Sequence, residues 1–193
     1  MLFRSQFAPA LKQIVTLKRE QATAYSMGGH PYDALMDDYE QGAQTGPIAE
    51  MFSALVAELV PLIGKISQSP DRPQLEILQR HYPKDAQAAL GQRAAAEIGF
   101  DFQRGRLDTT HHPFCTEIGP HDCRILTRYD ERFFSSAFFG TLHEAGHGIY
   151  EQGLRTESYG LPPGQYCSLG LHESQSRLWE NLVGRSKGFW QHF

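Results

Sequence analysis

The sequence predicts a mainly α-helical protein with a small β-sheet beside a helix that carries paired histidines. Three observations lead there: apolar residues recur at helical spacing through most of residues 1–99, the period changes to two near Cys123, and His143-Glu144-Ala145-Gly146-His147 lies in a long apolar run that opens at Phe133.

In chain order, Leu11, Ile14, Val15 and Ala22 define a first helix over residues 9–25, with Pro9 expected in its first turn. Met27-Gly28-Gly29-His30-Pro31 predicts a break, and residues 33–40 a short acidic helix that Gly42 ends. Pro47 opens the next helix. Its stripe of Met51, Phe52, Leu55, Val56, Leu59 and Val60 is expected to bury a face, with Pro61 stopping or kinking it near Val60. A turn over residues 69–73 leads to a short helix over residues 74–81. Pro83-Lys84-Asp85 then opens a further helix with Ala86, Ala89, Leu90, Ala94 and Ile98 on its apolar side, closed by Gly99.

Phe100-Asp101-Phe102-Gln103 starts the period of two and reads as strand. Cys123, Ile125, Thr127 and Tyr129 alternate with Arg124, Leu126 and Arg128 as a second strand, and Pro113, which cannot donate to a ladder, belongs on an edge or in a turn. The histidine helix is expected from Asp130 or Glu131 to Gly153, with Phe133, Phe134, Ala137, Phe138, Leu142, Ala145 and Ile149 as its apolar side and the polar residues projecting from the other. A Gly/Pro-rich connection over residues 154–170 carries the chain back over the site, and residues 171–183 pattern as a helix. The chain therefore reads as a single segment, residues 1–99 its helical part and residues 100–193 a small sheet plus metal-binding helices.

Composition excludes some function classes. A net charge of −4 without a Lys/Arg run offers no footprint for nucleic acid. No apolar stretch is expected to reach the roughly 18 residues of a membrane span, and the first residues lack a signal peptide's apolar region, so the expected setting is cytoplasmic with no membrane partner. Three cysteines are too few and odd in number for a disulfide framework.

The chemistry rests on H-E-x-x-H. One helical turn apart, His143 and His147 can hold one Zn²⁺ while Glu144 stands beside it as a base, a hydrolase layout. A catalytic zinc needs a third protein ligand. A metzincin would have Gly at 150 and His at 153, where this chain has Tyr150 and Gly153. Glu151 stands on the same face but roughly 12 Å along the helix from His143, too far to share the ion. Glu173 is better placed, although it also suits a surface pair with Arg177, and neighbouring His172 competes as a ligand. A structural zinc cluster of Cys115, Cys123, His111 and His121 matches no familiar spacing, and buried thiols are the commoner outcome.

His112-Pro113-Phe114, Asp122-Cys123-Arg124, His143-Glu144-Ala145-Gly146-His147 and His172-Glu173-Ser174-Gln175 resemble, in order, the H-P-F, D-x-R-x-T, H-E-x-x-H and H-E-S-[QG] motifs of the carboxypeptidase Taq family of zinc metallocarboxypeptidases. The resemblance implies a gluzincin-like core with the small sheet beside the catalytic helix, and Glu173 as third metal ligand with His143 and His147. It also implies broad removal of C-terminal residues from peptide substrates, with Glu144 activating the attacking water. Zinc is the implied cofactor, with cobalt accepted, and a homodimer the implied assembly. His112 and Arg124 become candidate substrate contacts. Two other readings remain: a thermolysin-like endopeptidase, and a metal-binding protein without efficient catalysis.

Two departures stand out. Leu126 occupies the Thr position of D-x-R-x-T, so that hydroxyl is lost or Thr127 supplies it. The family's [IV]-R-x-x-A-D and G-x-x-Q-D-x-H-W motifs do not occur, and Phe189, Trp190 and Phe193 crowd the chain end, which leads us to expect a piece of a larger enzyme.

Overall fold

The computed structural model describes residues 2–26 and 28–193, with only the backbone of residues 2 and 3, and the chain divides into two compact units between Arg72 and Pro73. Met27, at the head of the expected break, lies outside the described residues.

The first unit contains α1 (Leu2–Tyr25), α2 (Pro31–Met36) and α3 (Thr45–Gln68). His30 caps α2, its Nδ1 accepting the Tyr32 amide at 3.2 Å. Asp33 ties α2 to the start of α3: its Oδ1 accepts the Thr45 amide at 2.7 Å and also the Thr45 hydroxyl. Both prolines stand inside their helices: Pro9 lies beyond the first turn expected for it, and α3 does not stop at Pro61 but runs on to Gln68. Each proline removes one backbone bond, and the helical runs on either side carry the helix through it.

Because the chain stays helical through Pro61, α3 overturns the expectation that no apolar stretch reaches the length of a membrane span. At 24 residues, α3 is long and apolar enough to cross a membrane by length and composition. The core helix of a soluble protein meets the same test. Its stripe, expected to be buried, is exposed: Met51 keeps 56% of its surface and Val60 60%.

The second unit begins with a 3₁₀ turn, Glu76–Gln79, followed by α4 (Lys84–Glu97), β1 (Gly105–Thr109), β2 (Phe114–Gly119), β3 (Asp122–Thr127) and α5 (Phe134–Gln152). The 3₁₀ turns Thr156–Ser158 and Pro162–Gly164 lead to α6 (Leu169–Arg177), a π-helical continuation Leu178–Val183, and α7 (Lys187–His192). β3 is the central strand, parallel to β1 and antiparallel to β2. Pro113 directly precedes β2, an edge strand, where its missing donor is tolerated.

The expected alternation in β3 holds: Cys123, Ile125 and Thr127 are buried, Arg124 and Leu126 only half-buried. Cys123 and Ile125 pack with Ala95, Phe100 and Ala145, so the sheet and α4 clamp the histidine helix from two sides. Ala94, Phe138, Leu142 and Phe189 form a neighbouring cluster. Thr127 and Thr141 both donate their hydroxyls to the Ala137 carbonyl, at 3.2 and 2.8 Å, pinning β3 to the first half of α5.

Phe100 is not in a strand. Gly99, at φ 114°, donates to Ala96 O, and Phe100 N donates to Ala95 O at 2.9 Å, the paired bonds that close a helix through a left-handed residue. Phe100 thus completes the end of α4 and points into the core, and the strand waits until Gly105. α5 likewise starts at Phe134 rather than near Asp130, because the Asp130 carboxylate accepts the Arg132 amide at 2.8 Å in a turn.

Candidate metal centre

His143 and His147 stand one turn apart on α5 with ring centroids 4.9 Å apart. α6, capped by the Ser168 hydroxyl accepting the Leu171 amide at 3.1 Å, crosses α5 at Gly146. A Cβ on Gly146 would lie 2.7 Å from both Gln175 O and Ser176 Cα, so the helices approach this closely only because position 146 carries no side chain.

That approach delivers Glu173. Its Oε2 lies 3.3 Å from His147 Nε2 and 3.7 Å from His143 Nε2, and one ligand atom from each of the three falls within 4.8 Å of the others. Tetrahedral N/O ligation at about 2.0–2.2 Å separates donors by roughly 3.3–3.5 Å, so the set fits a divalent ion after a small inward movement. Glu173 Oε1 meanwhile accepts Arg177 Nε at 2.8 Å. The surface pair and the ligand position weighed against each other for Glu173 are therefore both present, one on each oxygen.

The imidazoles are held from behind. His143 Nδ1 is 2.9 Å from Glu180 Oε2, while His147 Nδ1 is 2.6 Å from His172 Nδ1, whose Nε2 reaches Glu151 Oε1 at 2.7 Å. With both nitrogens engaged, His172 is not free to compete as a ligand. Glu151 is absent from the ligand group, as the distance argument required, but supports it through His172.

Charge in the site follows burial. Glu144 is 7% exposed, and desolvation, with the negative Glu173 and Glu180 nearby, pushes its carboxyl up to about 7. Burial brings His147 down to about 4, with His172 and His143 adding to the shift. Desolvation would raise the Glu180 carboxyl, but hydrogen bonds from Arg185 and His143 outweigh it and leave it below its ordinary value.

The other expected residues lie elsewhere. Arg124 makes a two-point pair with Asp122, at 3.0 and 2.7 Å, so its guanidinium is already engaged. His112 is exposed just ahead of β2. Thr127 turns its hydroxyl into the core and Leu126 faces the other way, so no register change brings Thr127 into the place of Leu126. Cys115 and Cys123 approach to 3.6 Å between sulfurs, but neither joins a metal-holding group among the described residues. Glu180 and the supporting roles of His172 and Glu151 are additions to the sequence reading. Their signal was helical spacing: Glu151 follows His147 by four residues, and Glu180 follows Glu173 by seven.

Comparison with known proteins gives one consistent result. The model of the carboxypeptidase Taq (M32) metallopeptidase family matches residues 3–193. Thermostable carboxypeptidase 1 of Thermus thermophilus is 47% identical over 97% of this chain and 38% of its own length. Carboxypeptidase 1 of Bacillus subtilis is 39% identical over 96% and 37%. Among solved structures, an M32 carboxypeptidase from Deinococcus radiodurans superposes with a TM-score of 0.89 at 41% identity, covering 96% of this chain and 37% of that one. The chain thus spans a little over a third of the length of the relatives it matches.

Proposed function

The chain belongs to the carboxypeptidase Taq (M32) metallopeptidase family, and on that premise we propose that it serves a zinc-dependent metallocarboxypeptidase that removes C-terminal residues from peptides with broad specificity. The observation that carries the reading is the convergence of His143 Nε2, His147 Nε2 and Glu173 Oε2, with each histidine's Nδ1 already engaged. Two neutral imidazoles and a carboxylate suit zinc.

A bound divalent ion would supply Lewis-acid chemistry, acidifying water and polarising a carbonyl. The chain's own residues do the rest. Glu144, buried and with an affinity for protons raised toward neutrality, takes the proton of the attacking water and returns it to the leaving amine. The ion's positive charge would draw the Glu144 carboxyl back down, leaving it ionised and ready to accept that proton. Ala145 and Leu142, fully buried, hold the helix so that Glu144 stays aimed from the same turn as the ligands. The reading carries a cytoplasmic setting and a homodimer with it, the latter open to light scattering.

The test uses a peptide with a free C-terminus and the same peptide amidated, each with and without chelator, on this chain and on a chain of the relatives' full length. Cleavage confined to the free peptide and abolished by chelator supports the proposal. Equal cleavage of both peptides points to an endopeptidase. Zinc binding without cleavage in either chain leaves a metal-binding protein.

A further inference from the structure

We propose that His172 is a positioning residue, which with Glu151 fixes the tautomer and orientation of His147 and so directs the bare Nε2 of His147 toward Glu173. This deepens the metal-centre reading and rests on it.

Glu151 Oε1 only accepts, so the hydrogen between it and His172 Nε2, 2.7 Å away, belongs to the ring. A neutral His172 then has a bare Nδ1, which accepts from its partner 2.6 Å away, so the hydrogen there sits on His147 Nδ1. His147 Nε2 is left with its lone pair exposed, facing Glu173 Oε2 at 3.3 Å. One carboxylate thus determines, through two rings, which nitrogen of His147 is available to a metal.

The relay is also largely enclosed. The His172 and Glu151 side chains are only 14% and 11% exposed, which keeps water from exchanging into their bond. Tyr150 and Tyr166 stand edge-on to the His172 ring at 5.2 and 5.0 Å, and the His147 ring lies 4.6 Å away, tilted by 43°. Tyr166 comes from the connection between α5 and α6, so that loop helps to set the ring of His172.

Two readouts test this on the intact chain: zinc affinity by competition with a chromophoric chelator, and nitrogen NMR of the imidazole tautomers in metal-free protein. His172→Ala should weaken zinc binding by roughly 10- to 100-fold and move His147 from a single Nδ1–H tautomer to a mixture. His172→Gln, whose amide can accept from His147 and donate to Glu151, should recover most of both. Unchanged affinity and an unchanged tautomer in His172→Ala would overturn the proposal, as would a Gln variant no better than Ala. If the wild-type chain binds no zinc, the metal reading fails, and the tautomer measurement still decides the relay.

Discussion

His143 Nδ1 and Glu180 Oε2 meet at 2.9 Å, joining α5 to the π-helical segment 37 residues further along the chain. Arg177 and Arg185 in turn donate to the two oxygens of Glu180, at 3.2 and 3.0 Å. A carboxylate behind a metal histidine fixes its tautomer and strengthens it as a donor. Glu180→Ala should therefore weaken zinc binding by roughly 10- to 100-fold. Arg177→Ala should change it by about fivefold or less, since Arg177 is 55% exposed and such pairs are worth about 1 kcal/mol at most. A chelator competition titration of the two variants checks the ordering.

Metal content and turnover should separate within the motif. Glu144→Gln is nearly isosteric and removes the base, so it should retain zinc while lowering peptide hydrolysis by the roughly 10²- to 10⁴-fold attributable to proton transfer. Glu173→Ala should lose the metal itself. Atomic absorption on dialysed protein, beside an assay on the full-length enzyme, distinguishes the two.

The Asp33–Thr45 bond should make the first unit sensitive to acid. Hydrogen bonds, foremost from the Thr45 hydroxyl and then from its amide, lower the Asp33 carboxyl from its ordinary 3.8. The ionised form is the one stabilised in the folded chain. Its contribution is present in full above the unfolded value and is lost as pH falls through the lower folded value. Hydrogen exchange at the Thr45 amide should be slow at pH 6 and lose protection below about 3.8. Asp33→Asn should reduce protection at pH 6 and flatten the pH dependence.

α3 should make this chain self-associate. Its exposed apolar residues run along the helix from Met51 to Ile66, a patch larger than single scattered side chains. Light scattering should report a mass above that of one chain and rising with concentration. Replacing Leu55 and Leu62, each 51% exposed, with Glu should bring the mass back while leaving zinc affinity unchanged.

What the sequence made readable was periodic. The alternation of Cys123, Ile125 and Thr127, the buried Ala137, Phe138, Leu142 and Ala145 of α5 and the one-turn spacing of His143 and His147 are each set by local geometry and present as read. Phe133, read into the same stripe, instead stands just before α5 and keeps 47% of its surface exposed. Misreadings arose where a residue's local habit was overridden. Pro9 and Pro61 are breakers by habit, yet the helices run through them, and Phe100 looks like strand, yet it closes α4. The support behind the metal ligands was harder to see because it depends on how α5 and α6 cross. His172 could be paired with Glu151 only once the helix contact at Gly146 had set their separation.

Gly146 also changes what the two unspecified positions of H-E-x-x-H mean in this chain. Ala145 is fully buried against the sheet side, and position 146 has the backbone of α6 where a methyl group would stand. In a library randomising both, survivors at 146 should collapse to glycine and those at 145 to the smallest residues. The five-letter pattern would then carry four or five letters of information rather than three. A chain that merely matched the two histidines and the glutamate, with ordinary side chains between them, would keep its second helix a side chain's width too far away to complete the same site.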